Sequence, residues 1–295
     1  TRNRDSAFPV SGSCLDSRLS SVPACQSIIK KAVVERLKQR YSVSWFQETE
    51  PPRKIQFLIR KDQARLMIDT TGSGLHKRGY RAVSTAAPIR ETLAAAMAYF
   101  SRVRHDANFI DPFCGSGTIL IEAALAAQNI APGIGRSFSA EQWDTVSPSV
   151  WKGERERARS LETRDAAFLG KGYDLDPDAV SLTQANAEKA GVADCIRVSR
   201  RDIADFREEG EYGCVICNPP YGERLLDLHS AQELYKTMGR VFVPRHGWSY
   251  AVISPDESFE GCFGRRAARR RKLYNGMIRC QYYMYFRECS PKAGK

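Results

Sequence analysis

The sequence predicts an α/β protein, in which strands and helices alternate to build a parallel sheet covered on both faces, preceded by a small α+β segment. Three observations predict it. From about residue 89 onward, short apolar runs of strand length alternate with helical patterns, as βαβ units require. The runs "ANFIDPF", "GKGYDLD" and "GCVICN" each hand over to a loop holding glycine, acid or amide. A glycine-rich, basic connector, "TGSGLHKRGYR" (71–81), separates this region from a differently patterned N-terminal stretch and marks the best domain boundary.

Each element follows from its pattern. "QSIIKKAVVERLKQRY" (26–41) has the spacing of an amphipathic helix. "KIQFLIRKDQARLMIDTTG" (54–72) reads as two short strands around a turn at Lys61–Gln63. After Pro88 comes the helix "IRETLAAAMAYF" (89–100), then strand "ANFIDPF", glycine loop "CGSG" and helix "TILIEAALAAQ". A polar, arginine-rich insertion at about 130–168, with Trp143 and Trp151, is either a lid over a bound base or a packed embellishment. The alternation then resumes through strand "GKGYDLD", helix "PDAVSLTQANAEKAG", strand "CIRVSRRD", a short helical or loop stretch and strand "GCVICN". "RRAARRRK" (265–272) sets several arginines along one helical face, suited to phosphate contacts or to plain solvation. His76, Lys77, Arg78 and Arg81 of the connector can meet RNA or stand in solvent.

Composition narrows the class. With 42% hydrophobic and 27% charged residues over 295 positions, the chain has room for one large domain or two ordinary ones. No apolar run approaches the roughly 20 residues that cross a bilayer, and no signal-peptide pattern opens the chain. The start at Thr1 in place of Met reads as a fragment or a trimmed chain. Nine scattered cysteines read as reduced thiols, which places the protein in the cytoplasm. Cys214 and Cys217, three apart on a strand, point to opposite faces and so do not make a metal site; the four histidines lack ligand spacing, and no metal is expected. Of the +11 net charge, the excess sits at the ends: residues 1–60 hold 11 Lys/Arg against 5 Asp/Glu, residues 265–295 hold 10 against 1, and the middle holds 24 against 28. A polyanion gripped at the periphery of a catalytic body suits that distribution, and a merely solvated surface is the alternative.

Three loops at successive strand ends carry the chemistry, where open α/β sheets bind ligands. In "DPFCGSG" (111–117), Gly115 and Gly117 let the backbone approach a ligand ahead of a helix N-terminus. Asp174 of "YDLD" is placed to chelate two ribose hydroxyls, and Asp202 of "SRRD" to accept from an adenine amine; a lone acid at a strand end otherwise serves as a helix cap. A nicotinamide dinucleotide site fits less well, because the third glycine is missing and the acid lies beyond the usual spacing. The fourth feature is "NPPY" (218–221), a rigid elbow with an amide beside an aromatic.

Together, "GLHKRGYR…APIRETLAAAM", "DPFCGSGTILIEAAL", "GYDLDPDAVSLTQANAEKAGV", "RRDIADF", "NPPYGERL" and "RKLYNG" resemble the THUMP-containing rRNA guanine-N2 methyltransferases, over most of residues 70–285. The resemblance implies a Rossmann-like class I methyltransferase with a seven-stranded sheet at 73–290. It also implies a small N-terminal α+β THUMP-like segment at 1–72 that matches the second half of a THUMP RNA-binding module; the family carries a ferredoxin-like piece and the first THUMP half before that. By the same resemblance, S-adenosylmethionine is the cofactor and the N2 amine of a guanine in RNA the acceptor, in large-subunit rRNA first and tRNA second. Asn218, Pro219, Pro220 and Tyr221 then carry catalysis. Asp111 and the loop Phe113, Gly115, Ser116, Gly117 hold the methionine part, Asp174 the ribose and Asp202 the adenine, with Asn218 also at the cofactor. Thr92 and the Ala87–Pro88 turn touch the methionine end. An adenine-N6 acceptor in DNA or RNA, a glutamine amide in a protein, and an RNA-binding module with an inactive cofactor site remain open from the residues alone.

Overall fold

The computed structural model describes residues 6–81, 89–208, 210–221 and 228–286. The chain forms two compact units, one of residues 1–75 with 136–156, the other of residues 76–135 with 157–295.

In the first unit, strands β1 (Val10–Leu15), β2 (Ile55–Arg60) and β3 (Gln63–Ile68) form a sheet in that order, β1 parallel to β2 and β2 antiparallel to β3. Helix α1 (Val22–Tyr41) links the parallel pair. It begins where Ser21 accepts from the Ala24 N–H, and it ends at Ser42 in the left-handed region. The hairpin turn uses Lys61 and Asp62, both at positive φ, with Asp62 held by the Arg18 and Ser17 side chains. A small core of Cys25, Phe57 and Ile59 closes beneath α1.

Residues 136–156 of the insertion pack into this same unit. The Arg136 guanidinium donates to the carbonyls of Thr71, Ser73 and Gly74 and covers the Phe138 ring at 5.0 Å, and Phe138 stacks on Trp151 at 5.8 Å. Helix α4 (Pro148–Ser160) returns Arg155 to the Arg136 carbonyl and the Glu141 carboxylate.

The second unit holds α2 (Glu91–Phe100), β4 (Asn108–Asp111), α3 (Thr118–Ala127), β5 (Leu169–Asp174), α5 (Pro177–Ala190), β6 (Ile196–Arg200), β7 (Gly213–Cys217), α6 (Leu228–Val241), β8 (Trp248–Ser254), α7 (Phe259–Phe263), β9 (Arg269–Asn275) and β10 (Ile278–Tyr285). Its seven strands lie in the order β6-β5-β4-β7-β8-β10-β9, parallel except for β10, which runs against both neighbours. Because β4 leads outward through β5 and β6 on one side and β7 begins the other, the strand order reverses between β4 and β7. That reversal opens a crevice at the carboxyl ends of the strands.

Both faces of the sheet are buried, which is why its central strands are continuously apolar. Phe109, Cys214 and Ile216 belong to one core and Ile110, Val215 and Cys217 to the other, so the two cysteines lie on opposite faces of β7. Glycines 170 and 172 let Leu120 of α3 sit against β5, since a Cβ at either would stand within 2.9 Å of its methyls.

Two sequence expectations are corrected here. The arginine run at 265–272 is not a helix: β9 starts at Arg269 and pairs with β10 at every position through Asn275. A helix there would have had only two alanines and Leu273 to bury, whereas a strand from Arg269 seats Leu273 against the core and leaves its arginines exposed. The connector arginines face neither RNA nor open solvent. Arg78 pairs with Glu122 at 3.4 Å, Tyr80 donates to the same carboxylate at 3.0 Å, and Arg81 pairs with Glu91 at 3.4 Å while donating to Thr118 at 2.9 Å. Those two carboxylates are buried in α2 and α3, and buried charge must be paired. Burial still raises the Glu122 pKa, with Arg78 opposing.

Candidate active site

The site is assembled at neighbouring strand ends. Since β5, β4 and β7 are consecutive in the sheet, Asp174, the loop after Asp111 and Asn218 follow one another along its edge. In the loop, the Cys114 N–H donates to the Tyr173 carbonyl at 2.9 Å and the Gly115 N–H to Asp174 Oδ2 at 2.9 Å. Helix α5 holds it from below: Thr183 Oγ1 donates to the Gly115 carbonyl at 2.8 Å and Asn186 Nδ2 to the Ser116 carbonyl at 2.9 Å.

The two loop glycines do different work. Gly115 has φ +53, and a Cβ there would meet no atom within 4 Å, so open space adjoins the backbone at that point. Gly117 has φ +80, and a Cβ there would come 2.7 Å from Thr183 Cγ2, so it serves the packing of α3 on α5. Ser116 is buried and pairs its hydroxyl with Thr118 at 3.2 Å. Phe113 is half-buried, and its N–H donates to Asp111 Oδ1 at 3.1 Å.

Asp111 is fully buried, which raises its pKa to about 8; the Phe113 N–H opposes the shift and the Asp174 charge adds to it. A cation close to Asp111 would favour its ionised form and oppose that shift. Asp174 is half-buried, with Oδ1 accepting from the Asp176 N–H at 3.1 Å. Asp202 is exposed and accepts from the Ala204 N–H at 2.8 Å as the cap of a short 3-10 turn, one loop away from Asp174: the Arg201 N–H donates to the Asp174 carbonyl at 3.1 Å. Arg201 also covers the Tyr173 ring at 4.3 Å. Both carboxylates therefore cap local turns.

At the elbow, the Oδ1 of Asn218 is buried and accepts no hydrogen bond among the described residues. Pro219 is buried and Pro220 half-buried. Tyr221 is half-buried against the core, and its hydroxyl accepts from Asn275 Nδ2 at 3.0 Å; burial pushes its pKa up to about 12. Thr92 stands exposed in the first turn of α2, with no hydrogen bond to the other site residues among those described. The Ala87–Pro88 turn lies outside the described residues. Sequence reasoning missed Thr183, Asn186 and Asn275. The first two had a signal, being polar residues three apart on the buried face of α5, and Asn275 stood within "RKLYNG" with no role assigned to it.

This sheet order, with a glycine loop after β4 and an acid after β5, defines a class I S-adenosylmethionine-dependent methyltransferase. The residues fit that donor: open space lies beside Gly115, and the acids Asp111 and Asp174 stand at the two ends of the loop contacts, where a cationic ligand is favoured.

Residues 78–284 match the RMKL-like methyltransferase domain and residues 2–69 match the THUMP domain, so the chain belongs to the THUMP-containing RMKL-like methyltransferase family. It is 42% identical over 290 residues to the protein named "Putative RNA methyltransferase YpsC" of Bacillus subtilis (strain 168), covering 98% of this chain and 75% of that one. It is 35% identical over 284 residues to "Ribosomal RNA large subunit methyltransferase K/L" of Magnetococcus marinus, covering 90% of this chain but 39% of that protein's length. Among solved structures, SMU.472, described as a putative methyltransferase complexed with SAH, superposes with a TM-score of 0.87 at 39% identity, over 97% of this chain and 76% of that one.

Proposed function

We propose that the chain methylates the exocyclic N2 amine of a guanine in RNA, with large-subunit rRNA as the substrate class. The observation that carries this reading is the buried Oδ1 of Asn218, which accepts no hydrogen bond among the described residues. A buried acceptor left unpaired costs about 1–3 kcal/mol, so a fold that keeps one at its ligand crevice is holding it for a donor. An exocyclic amine is such a donor.

Its lone pair is delocalised into the ring, so what it needs is orientation more than a strong base. Asn218 Oδ1 and the Pro219 carbonyl accept the two amine hydrogens and leave the lone pair directed away from them. Pro219 and Pro220 fix the backbone that holds both acceptors. Tyr221, its ring steadied by Asn275, gives the extruded base a face to stack on. S-adenosylmethionine, when bound, supplies the electrophilic methyl. Asp111 with residues 113–117 holds its methionine part, Asp174 the ribose, and Asp202 the adenine amine; Thr92 adds a contact at the methionine end. The THUMP match, the basic N-terminal stretch and the names of the relatives favour RNA as the acceptor.

Nucleoside mass spectrometry tests it, with unmodified rRNA and tRNA each incubated with the protein and labelled S-adenosylmethionine. Label in N2-methylguanosine of large-subunit rRNA is the expected result. Label in tRNA alone would move the target, and label in N6-methyladenosine would overturn the choice of base.

A further inference from the structure

The basic C-terminal region has a purpose that the helical reading hid. Strand β9 is the outermost strand of the seven-stranded sheet, so one edge of its backbone pairs with no strand among the described residues. Arg269, Arg270, Arg271 and Lys272 follow one another along it, all exposed. Arg270 is committed to Glu260, at 3.0 Å through its Nε. Arg269, Lys272 and Arg279 have no carboxylate partner among the described residues, and Arg271 covers the Phe100 ring at 4.5 Å. Beyond the charges, Tyr274 is 54% exposed, with Lys272 over its ring and Arg279 opposite it across the ladder; Met277 at the turn is 97% exposed and Ile278 49%.

Edge strands often carry lysine and arginine to prevent sheet-to-sheet association. That reading accounts for the charges alone. An exposed aromatic and two exposed aliphatics at the same hairpin tip would undo such protection. Phosphate-binding cations interleaved with an exposed ring are instead the pattern that holds single-stranded nucleic acid, through phosphate contacts and base stacking. The last residue of the strand connects it to the chemistry: Asn275 donates to the hydroxyl of Tyr221, so the end of β9 is fastened to the elbow that holds Asn218.

Resting on the proposed RNA methylation, we infer that the free edge of β9 and its turn to β10 form the surface on which single-stranded RNA flanking the target nucleotide lies. Arg269 from one face of the strand and Lys272 and Arg279 from the other take phosphates along the free edge, Tyr274 stacks a base, and the strand delivers the chain to Tyr221. Seven residues of strand extend about 23 Å, enough for several phosphates.

The test is a triple variant, Arg269→Gln, Lys272→Gln and Arg279→Gln, whose side chains are all exposed, with Tyr274→Ala as a second, uncharged probe. Affinity for a single-stranded RNA that the wild type methylates is measured across a salt series, with calorimetric S-adenosylmethionine binding and the thermal midpoint as controls. Each lost phosphate contact lowers the slope of log K against log salt by roughly 0.7, so the triple variant should lose about 2 in slope. At low salt its RNA affinity should fall at least tenfold, with cofactor affinity unchanged. Tyr274→Ala should weaken RNA binding about fivefold or more with no change of slope. If the wild type methylates RNA and the triple variant keeps its affinity and slope, the edge assignment is overturned while the methylation stands. If the wild type neither binds nor methylates RNA, the proposed function fails and this inference fails with it. Loss of binding to anionic lipid vesicles with RNA binding intact would also overturn it.

Discussion

Replacing Asn218 by Ala separates catalysis from stability in opposite directions. Losing one preorganised hydrogen-bonding group at a reacting centre costs about 10²–10³ in kcat. The same change removes a buried oxygen that accepts no hydrogen bond among the described residues, and that atom costs the fold about 1–3 kcal/mol. Against this stands the packing of a half-buried side chain, worth about 1 kcal/mol. The balance runs from neutral to about 2 kcal/mol in favour of the variant, which at about 2–4 °C per kcal/mol means a thermal midpoint unchanged or raised by up to about 4–8 °C. The assay pairs single-turnover methyl transfer with calorimetric binding of S-adenosylmethionine and a melting curve. Turnover should fall at least a hundredfold, cofactor affinity should stay within about threefold, and the midpoint should not drop. Full activity would refute the role of Asn218. A midpoint lowered by more than about 5 °C with activity lost in proportion would refute the argument that the atom is held unpaired for a donor.

Three further outcomes follow from the same geometry. Burial holds Asp111 near pKa 8, so in the free protein at pH 7 it is mostly protonated, and taking up a cationic cofactor means releasing that proton. Cofactor affinity should weaken as pH falls below about 8, by at most tenfold per unit, and Asp111→Asn should flatten that dependence in calorimetry. On stability the sign is opposite to that of a salt-bridged acid: the folded state favours the protonated form, so this group's contribution declines as pH rises from the ordinary value of 3.8 to about 8. Gly117→Ala should destabilise by about 2–4 kcal/mol, from left-handed strain plus contact with Thr183, and Thr183→Ala should recover the contact share only; Gly115→Ala should cost about 1–2 kcal/mol yet weaken cofactor binding tenfold or more. Glu122→Ala, which takes a buried carboxylate from Arg78 and Tyr80, should cost about 3–5 kcal/mol in chemical denaturation, with RNA affinity changed only through stability.

What was legible in the chain and what was not divides on physical grounds. The β4–loop–α3 unit was legible because two independent local signals agreed: an apolar run buried on both faces, and glycines where the backbone needs positive φ. The elbow was legible for the same reason, since two prolines after a buried strand leave few conformations open. The charged stretches were not. A run of arginines carries no periodicity of its own, so the fate of residues 265–272 rested on pairing with β10, a partner that no local window contains. Arg78 and Arg81 misled in the complementary way, because a basic connector looks like a nucleic-acid contact until its acids are found. Those acids did leave a trace. Glu122 is the one charged residue among the buried positions of α3, in "TILIEAALAA", and a buried carboxylate in an apolar helix demands a cation from elsewhere in the chain. Read that way round, from the buried acid outward, the sequence gives notice that a basic segment is bound inside the fold, and Arg78 and Arg81 stand with His76 and Lys77 in the basic connector that leads into α2. The same reasoning run on β9 finds an acid, Glu260, for Arg270 alone among the described residues. The cations that the fold does not use are the ones left for a polyanion, and they lie on the strand whose last residue holds Tyr221.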